Sequence, residues 1–172
     1  MDDRELDAII ARAFRALERA ERQEPSSILV GFRRALRLWH YPKSQACRSW
    51  TVFVHSKRPT IVTRMVTWDR PADFRRAELD VLEGGAPTLM IADGVVPNHE
   101  LDLLLDLGSR LHVPLLGFKR TTQSEGERFG VEIQVGLSRS TFEWSDAPEA
   151  WTQLAEWAAR VRELLQRCAD GG

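Results

Sequence analysis

The chain is expected to fold as an α/β protein of the α+β kind. One domain is anticipated, with a mixed sheet containing one parallel β-α-β crossover and antiparallel hairpins, flanked by N- and C-terminal amphipathic helices. Three observations lead there. Apolar residues recur at helical spacing near both ends of the chain, β-branched runs with two-residue alternation fill the middle, and an apolar run, a helical stretch and a second apolar run follow one another between 88 and 118. The 172 residues, 43% hydrophobic and 28% charged, suit one domain with its own core.

Leu6, Ile9, Ile10, Ala13, Phe14 and Leu17 share one helical stripe, so Asp3 to about Arg22 reads as an amphipathic helix with Asp2 or Asp3 as its cap. Glu24-Pro25-Ser26-Ser27 ends it, and Ile28 to Trp39 reads as a strand. Trp50 to His55 alternates as a half-buried strand, Ser56-Lys57-Arg58-Pro59 turns, and Thr60 to Trp68 returns with Val62, Arg64, Val66 and Trp68 on one face. Pro71 to about Leu82 is helical and stops at Gly84-Gly85.

Thr88 to Ala92 is a strand candidate, Asn98 a helix cap, Leu101 to Leu111 a helix apolar around most of its circumference, and Val113 to Phe118 a second strand candidate. That order predicts a right-handed crossover between parallel strands, with the helix well buried on the sheet. A polar loop with Ser124, Gly126 and Glu127 follows. Phe129 to Val135 and Ser138 to Trp144 make a hairpin turning near Gly136, and Asp146 to Cys168 closes as a helix with a capping box at Asp146 and Glu149 and an apolar stripe through Trp151, Leu154, Trp157, Ala158, Val161, Leu164 and Leu165.

The opening MDDRELD is acidic where a signal peptide is basic and then apolar, and no apolar run approaches the roughly 18 residues of a membrane span, so a cytoplasmic address is expected. Cys47 and Cys168, the only cysteines, are too few for a disulfide framework.

Charge is polarised. Residues 1 to 80 hold sixteen Lys/Arg against eleven Asp/Glu, and residues 81 to 172 hold eight against fourteen. Pro25 to Trp68 carries Arg33, Arg34, Arg37, Lys43, Arg48, Lys57, Arg58 and Arg64 with no carboxylate. Three counter-charges compete: nucleic-acid phosphates, the acidic helix around Glu100, Asp102 and Asp106, and a protein partner. An isoelectric point near 6.4 weighs against nucleic acid.

The residues argue against several chemistries. Gly84-Gly85 and Gly94 do not make a phosphate loop, no Gly-x-Ser-x-Gly elbow exists, and His40, His55, His99 and His112 lack the close pairing of a zinc site. No cofactor is called for. Asp93-Gly94 at a strand end is either a turn or an active-site position, and with Glu132 it makes the case for a metal-dependent, nuclease-like or nucleic-acid-processing domain; the spacing and the missing Lys after Glu132 fit that poorly. Cys47, beside His40, Lys43 and Arg48, is a candidate reactive thiol or a buried one. Trp68-Asp69-Arg70-Pro71-Ala72-Asp73 is either a binding edge or a local staple in which Asp69 or Asp73 caps the next helix.

Phe142-Glu143-Trp144-Ser145-Asp146-Ala147-Pro148-Glu149-Ala150-Trp151, continuing to Leu154, Trp157 and Leu164, resembles the closing strand and helix of small bacterial immunity proteins that neutralise toxins delivered by neighbouring cells. The resemblance covers about thirty residues and contains no catalytic signature. It implies a cytosolic, non-enzymatic protein that binds and occludes one cognate toxin; the expected protein partner is such a toxin or a neighbouring gene product. The resemblance carries over no binding residues; the aromatic, charged loop and the acidic positions themselves make Trp68, Asp69, Arg70 and Asp73 with Asp93, Asp102 and Asp106 the expected partner contacts.

Overall fold

A computed structural model describes residues 3–23, 31–79, 86–113 and 127–171. Helix α1 (Asp3–Arg22) leads into strands β1 (Phe32–Tyr41), β2 (Cys47–His55) and β3 (Ile61–Trp68), then α2 (Arg70–Glu78), β4 (Leu89–Val95) and α3 (Asn98–Ser109). The hairpin β5 (Arg128–Val135) and β6 (Ser138–Trp144) follows, and a 3-10 turn at Glu149–Trp151 runs into α4 (Thr152–Ala169).

The six strands form one sheet in the order β4-β3-β2-β1-β5-β6, and all five pairings are antiparallel. The α+β class is therefore as expected, and the parallel crossover is corrected. The strand β4 lies antiparallel to β3, with Arg64 opposite Asp93. The expected second strand of the crossover falls, from residue 114 onward, outside the described residues, as do Glu24 to Ser27, Leu82, Gly84 and Gly85. Periodicity identifies a strand; it does not fix that strand's neighbour or direction.

Helices cover both faces. Leu36 and Leu38 of β1, Trp50 and Val52 of β2, and Val131 of β5 meet Leu154, Trp157, Ala158, Val161, Leu164 and Leu165 of α4. On the other face Trp39, Tyr41, Cys47, Val66 and Trp68 meet Ala13, Leu17 and Ala20 of α1. The strand β2 is consequently buried on both sides, with Ser49, Thr51 and Phe53 as enclosed as Trp50 and Val52. Its sequence alternation had indicated one wet face; burying threonine and serine on the second face is what preserves the alternating look.

Two further expectations are corrected. Helix α3 is not deeply buried: Leu101 alone is enclosed, Leu103, Leu105 and Leu107 are exposed, and Asn98 is its first residue, with its side-chain amide donating to the Pro59 carbonyl at 2.7 Å. The start of α4 has no capping box. Neither the 3-10 turn nor α4 receives a side-chain cap, and Thr152 Oγ1 donates instead to the Glu149 carbonyl at 2.8 Å. Close backbone approach explains Gly94, where a Cβ would lie 2.1 Å from the Cys168 carbonyl oxygen of α4. Gly136, at φ 59°, turns the β5–β6 hairpin.

Candidate functional site

The register places one line of side chains straight across the α1 face of the sheet. Asp93 on β4 lies opposite Arg64 on β3, which faces Thr51 on β2, then Arg37 on β1, then Glu132 on β5. Arg64 holds Asp93 through Nε to Oδ1 at 2.7 Å and Nη2 to Oδ2 at 2.8 Å. Arg34 and Arg139 both pair with Glu132. Above the line, α1 contributes Glu21, 1% exposed, whose Oε2 is 2.7 Å from Arg37 Nε; Arg37 Nη2 also donates to Tyr41 Oη at 3.0 Å.

Burial pushes the Glu21 carboxyl above its ordinary range, against the opposing pull of Arg37. It pushes the Tyr41 phenol up as well, with the Glu21 charge adding to the effect. Burial favours loss of the Arg37 proton, but Tyr41, Glu21 and Glu132 outweigh it and hold the guanidinium above its usual value. Three arginines of the carboxylate-free segment are thus neutralised inside the fold, by Glu21, Glu132 and Asp93. The acidic helix is not their partner: Glu100 pairs with Arg167 and Asp106 with Arg110.

Asp93 and Glu132 are not brought together. Four inter-strand steps separate β4 from β5, about 19 Å at the usual strand spacing, and each carboxylate faces its own arginine. Among the described residues no group of three or more His, Cys, Asp or Glu is placed to hold a metal ion. Cys47 is enclosed, and burial raises its thiol despite Arg70 and Arg128 nearby.

The Trp68 to Asp73 segment is a staple. Trp68 and Asp73 have no exposed surface and cannot touch a partner. Trp68 Nε1 donates to Asp73 Oδ2 at 2.8 Å, Thr88 donates its backbone N–H to Oδ2 at 3.0 Å and its hydroxyl to Oδ1 at 2.6 Å, and Arg76 closes the cluster. Asp69 caps α2 by accepting from Ala72 N at 3.0 Å. Arg70 lies over the rings of Trp68 and Phe74, at 5.8 and 5.0 Å from their centroids.

Of the remaining expected contacts, Asp93 faces the α1 side of the sheet with Arg64, while Asp102 and Asp106 sit on α3 beside leucines that the sequence predicts to be buried. Leu103, Leu105 and Leu107 of α3 are exposed, Leu103 by 66%. On β4, Met90 is exposed on the α4 side of the sheet, whereas Ile91 and Val95, opposite Val66 and Val62, are exposed on the α1 side, so β4 and α3 do not present one shared apolar face. Strand β4 is an edge of the sheet among the described residues. One signal was available: Leu101-Asp102-Leu103-Leu104-Leu105-Asp106-Leu107 carries more leucines than a single helix face can bury.

At the opposite edge, the C-terminal aromatics form a local cluster in which Trp151 meets Phe142 and Trp144 edge-on, with centroids 5.6 and 6.3 Å apart. No family model, curated protein or solved structure matches this chain.

Proposed function

We propose that this chain is an immunity-type protein of the bacterial cytoplasm, which captures one cognate protein toxin on the exposed surface of α3 and blocks it sterically. The observation that carries the reading is the row of exposed leucines on α3, Leu103, Leu105 and Leu107, interleaved with Asp102 and Asp106. Three exposed leucines held on one helix favour a macromolecular partner over solvent. The acidic flank selects an apolar patch rimmed by basic residues and speeds the encounter. Elsewhere the titratable groups of the α1 face are engaged with one another, and the two carboxylates of the metal-dependent alternative each hold an arginine on distant strands.

Co-expression tests the reading. Cells making the toxic product of the neighbouring gene should grow when this chain is present and stop when it carries Leu103→Asp with Leu107→Asp, although circular dichroism of that variant is unchanged. Full protection by the variant would remove the α3 surface from the mechanism. Failure of the parent chain to protect would remove the immunity reading itself.

A further inference from the structure

A second surface, on the other side of the molecule from α1, has the makings of a small-ligand site. A groove of about 480 Å³ runs between the C-terminal half of α4 and the ends of β1 and β2, lined by Arg48, Trp50, Arg162, Gln166 and Arg167. That volume is in the usual range for small-molecule sites. Arg167 is engaged by Glu100 at 3.1 Å. Arg48 has no carboxylate partner among the described residues, and Arg162 rests over the Phe129 ring, 5.7 Å from its centroid. Trp50, 2% exposed, lines the same groove, and its indole N–H finds no acceptor among the described residues. The only carboxylate in the lining is Glu163.

Arg162 also lines a second hollow, of about 300 Å³, walled by Phe129, Trp144 and the alanines of α4. His40 stacks on Phe129 at 4.5 Å, so an imidazole of the cationic groove and a ring of the apolar hollow lie face to face. The two hollows thus meet at a guanidinium, with donors on one side and aromatic surface on the other.

We propose that this double groove binds a small organic phosphate of mononucleotide size, its phosphate between Arg48 and Arg162 and its organic part along Phe129 and Trp144. A carboxylate is satisfied by one arginine fork; two separate guanidiniums and a nearby indole N–H suit an anion with three acceptor oxygens. The apolar hollow gives an organic ester an advantage over the inorganic ion. This site uses none of the exposed leucines of α3 and does not rest on the toxin reading.

Calorimetric titration of the whole protein with adenosine monophosphate, inorganic phosphate and a ten-nucleotide single-stranded DNA tests it. The mononucleotide should bind saturably at one site, at least about tenfold tighter than inorganic phosphate, and Arg48→Ala and Arg162→Ala should each weaken it about tenfold or more. Glu163→Gln should tighten it, because the carboxylate of the lining is gone, while Glu127 stays on His40 and Glu100 on Arg167. Circular dichroism of each variant separates lost binding from lost fold. No saturable mononucleotide binding, equal affinity for the inorganic ion, unchanged affinity in a folded arginine variant, or much tighter binding of the ten-nucleotide strand would each overturn the proposal, the last in favour of a nucleic-acid surface.

Discussion

Arg64 and Asp93 meet side by side across the β3–β4 pairing, joined by two hydrogen bonds of 2.7 and 2.8 Å. The same guanidinium uses Nη1 to reach the Ala20 and Gln23 carbonyls at the end of α1, at 3.4 and 2.6 Å. One arginine therefore ties an edge strand and a helix terminus to the sheet. Asp93→Asn should cost about 1 kcal/mol, since Asp93 keeps some contact with solvent, whereas Arg64→Ala should cost about 2 kcal/mol by releasing both attachments. Urea denaturation measures both, and equal losses would show that the α1 contacts contribute nothing.

Gly94→Ala should be more damaging than its size suggests. The new methyl would meet a backbone carbonyl of α4 at 2.1 Å, and no side-chain rotation can relieve that contact. A loss of about 3 kcal/mol is expected from overpacking, read as a fall in the urea midpoint at unchanged slope. Gly136→Ala is the contrast: nothing lies within 4 Å of the added atom, so only the positive φ is penalised.

Asp73 sets a pH dependence. Burial by itself would raise its carboxyl, but Thr88, Trp68 and Arg76 outweigh burial and hold it below the ordinary value of 3.8. The folded value thus lies under the unfolded one, so the contribution is complete above about pH 4 and is lost as pH falls through the folded value. Asp73→Asn should be destabilised at pH 7, with the gap to the parent closing on acidification below about pH 4. A gap that stays constant down to acid unfolding would contradict the assignment.

Reversing charge on α3 should slow capture of the toxin more than it speeds release. Asp102→Lys with Asp106→Lys is expected to lower the association rate and to flatten its dependence on salt. Stopped-flow mixing at two ionic strengths measures this; an unchanged rate would place the interface elsewhere.

The Cys47 thiol should resist alkylation in the native protein and react once the chain is unfolded in urea. It is fully enclosed, and burial holds it protonated. Mass spectrometry after a timed iodoacetamide pulse distinguishes it from Cys168, which is partly exposed.

Much of the architecture was legible because it is periodic. The face shared by Val62, Arg64, Val66 and Trp68, the hairpin turning at Gly136 and the apolar stripe of α4 all follow from spacing alone. What spacing does not encode is which element covers which. Helix α3 looked like a core helix because leucines surround it, and β2 looked half wet because its second face is built from Ser49, Thr51 and Phe53. The candidate site was less accessible still. Glu21 lies on the stripe of Ala13 and Leu17, one turn beyond Leu17, so a carboxylate on an apolar face facing a segment rich in arginine was a readable cue to a buried ion pair. Arg162 and Arg48 are 114 positions apart in the chain, and only the packing of α4 on the sheet brings them to one groove.

The line of residues from Asp93 through Arg64, Thr51 and Arg37 to Glu132 also bears on how the sheet assembles. A slip of one position in any of these pairings would turn a guanidinium or carboxylate toward the leucines and tryptophans beneath α4. Misaligned arrangements are thereby penalised at each of the four strand boundaries the line crosses, so it acts as a proofreading device for strand alignment.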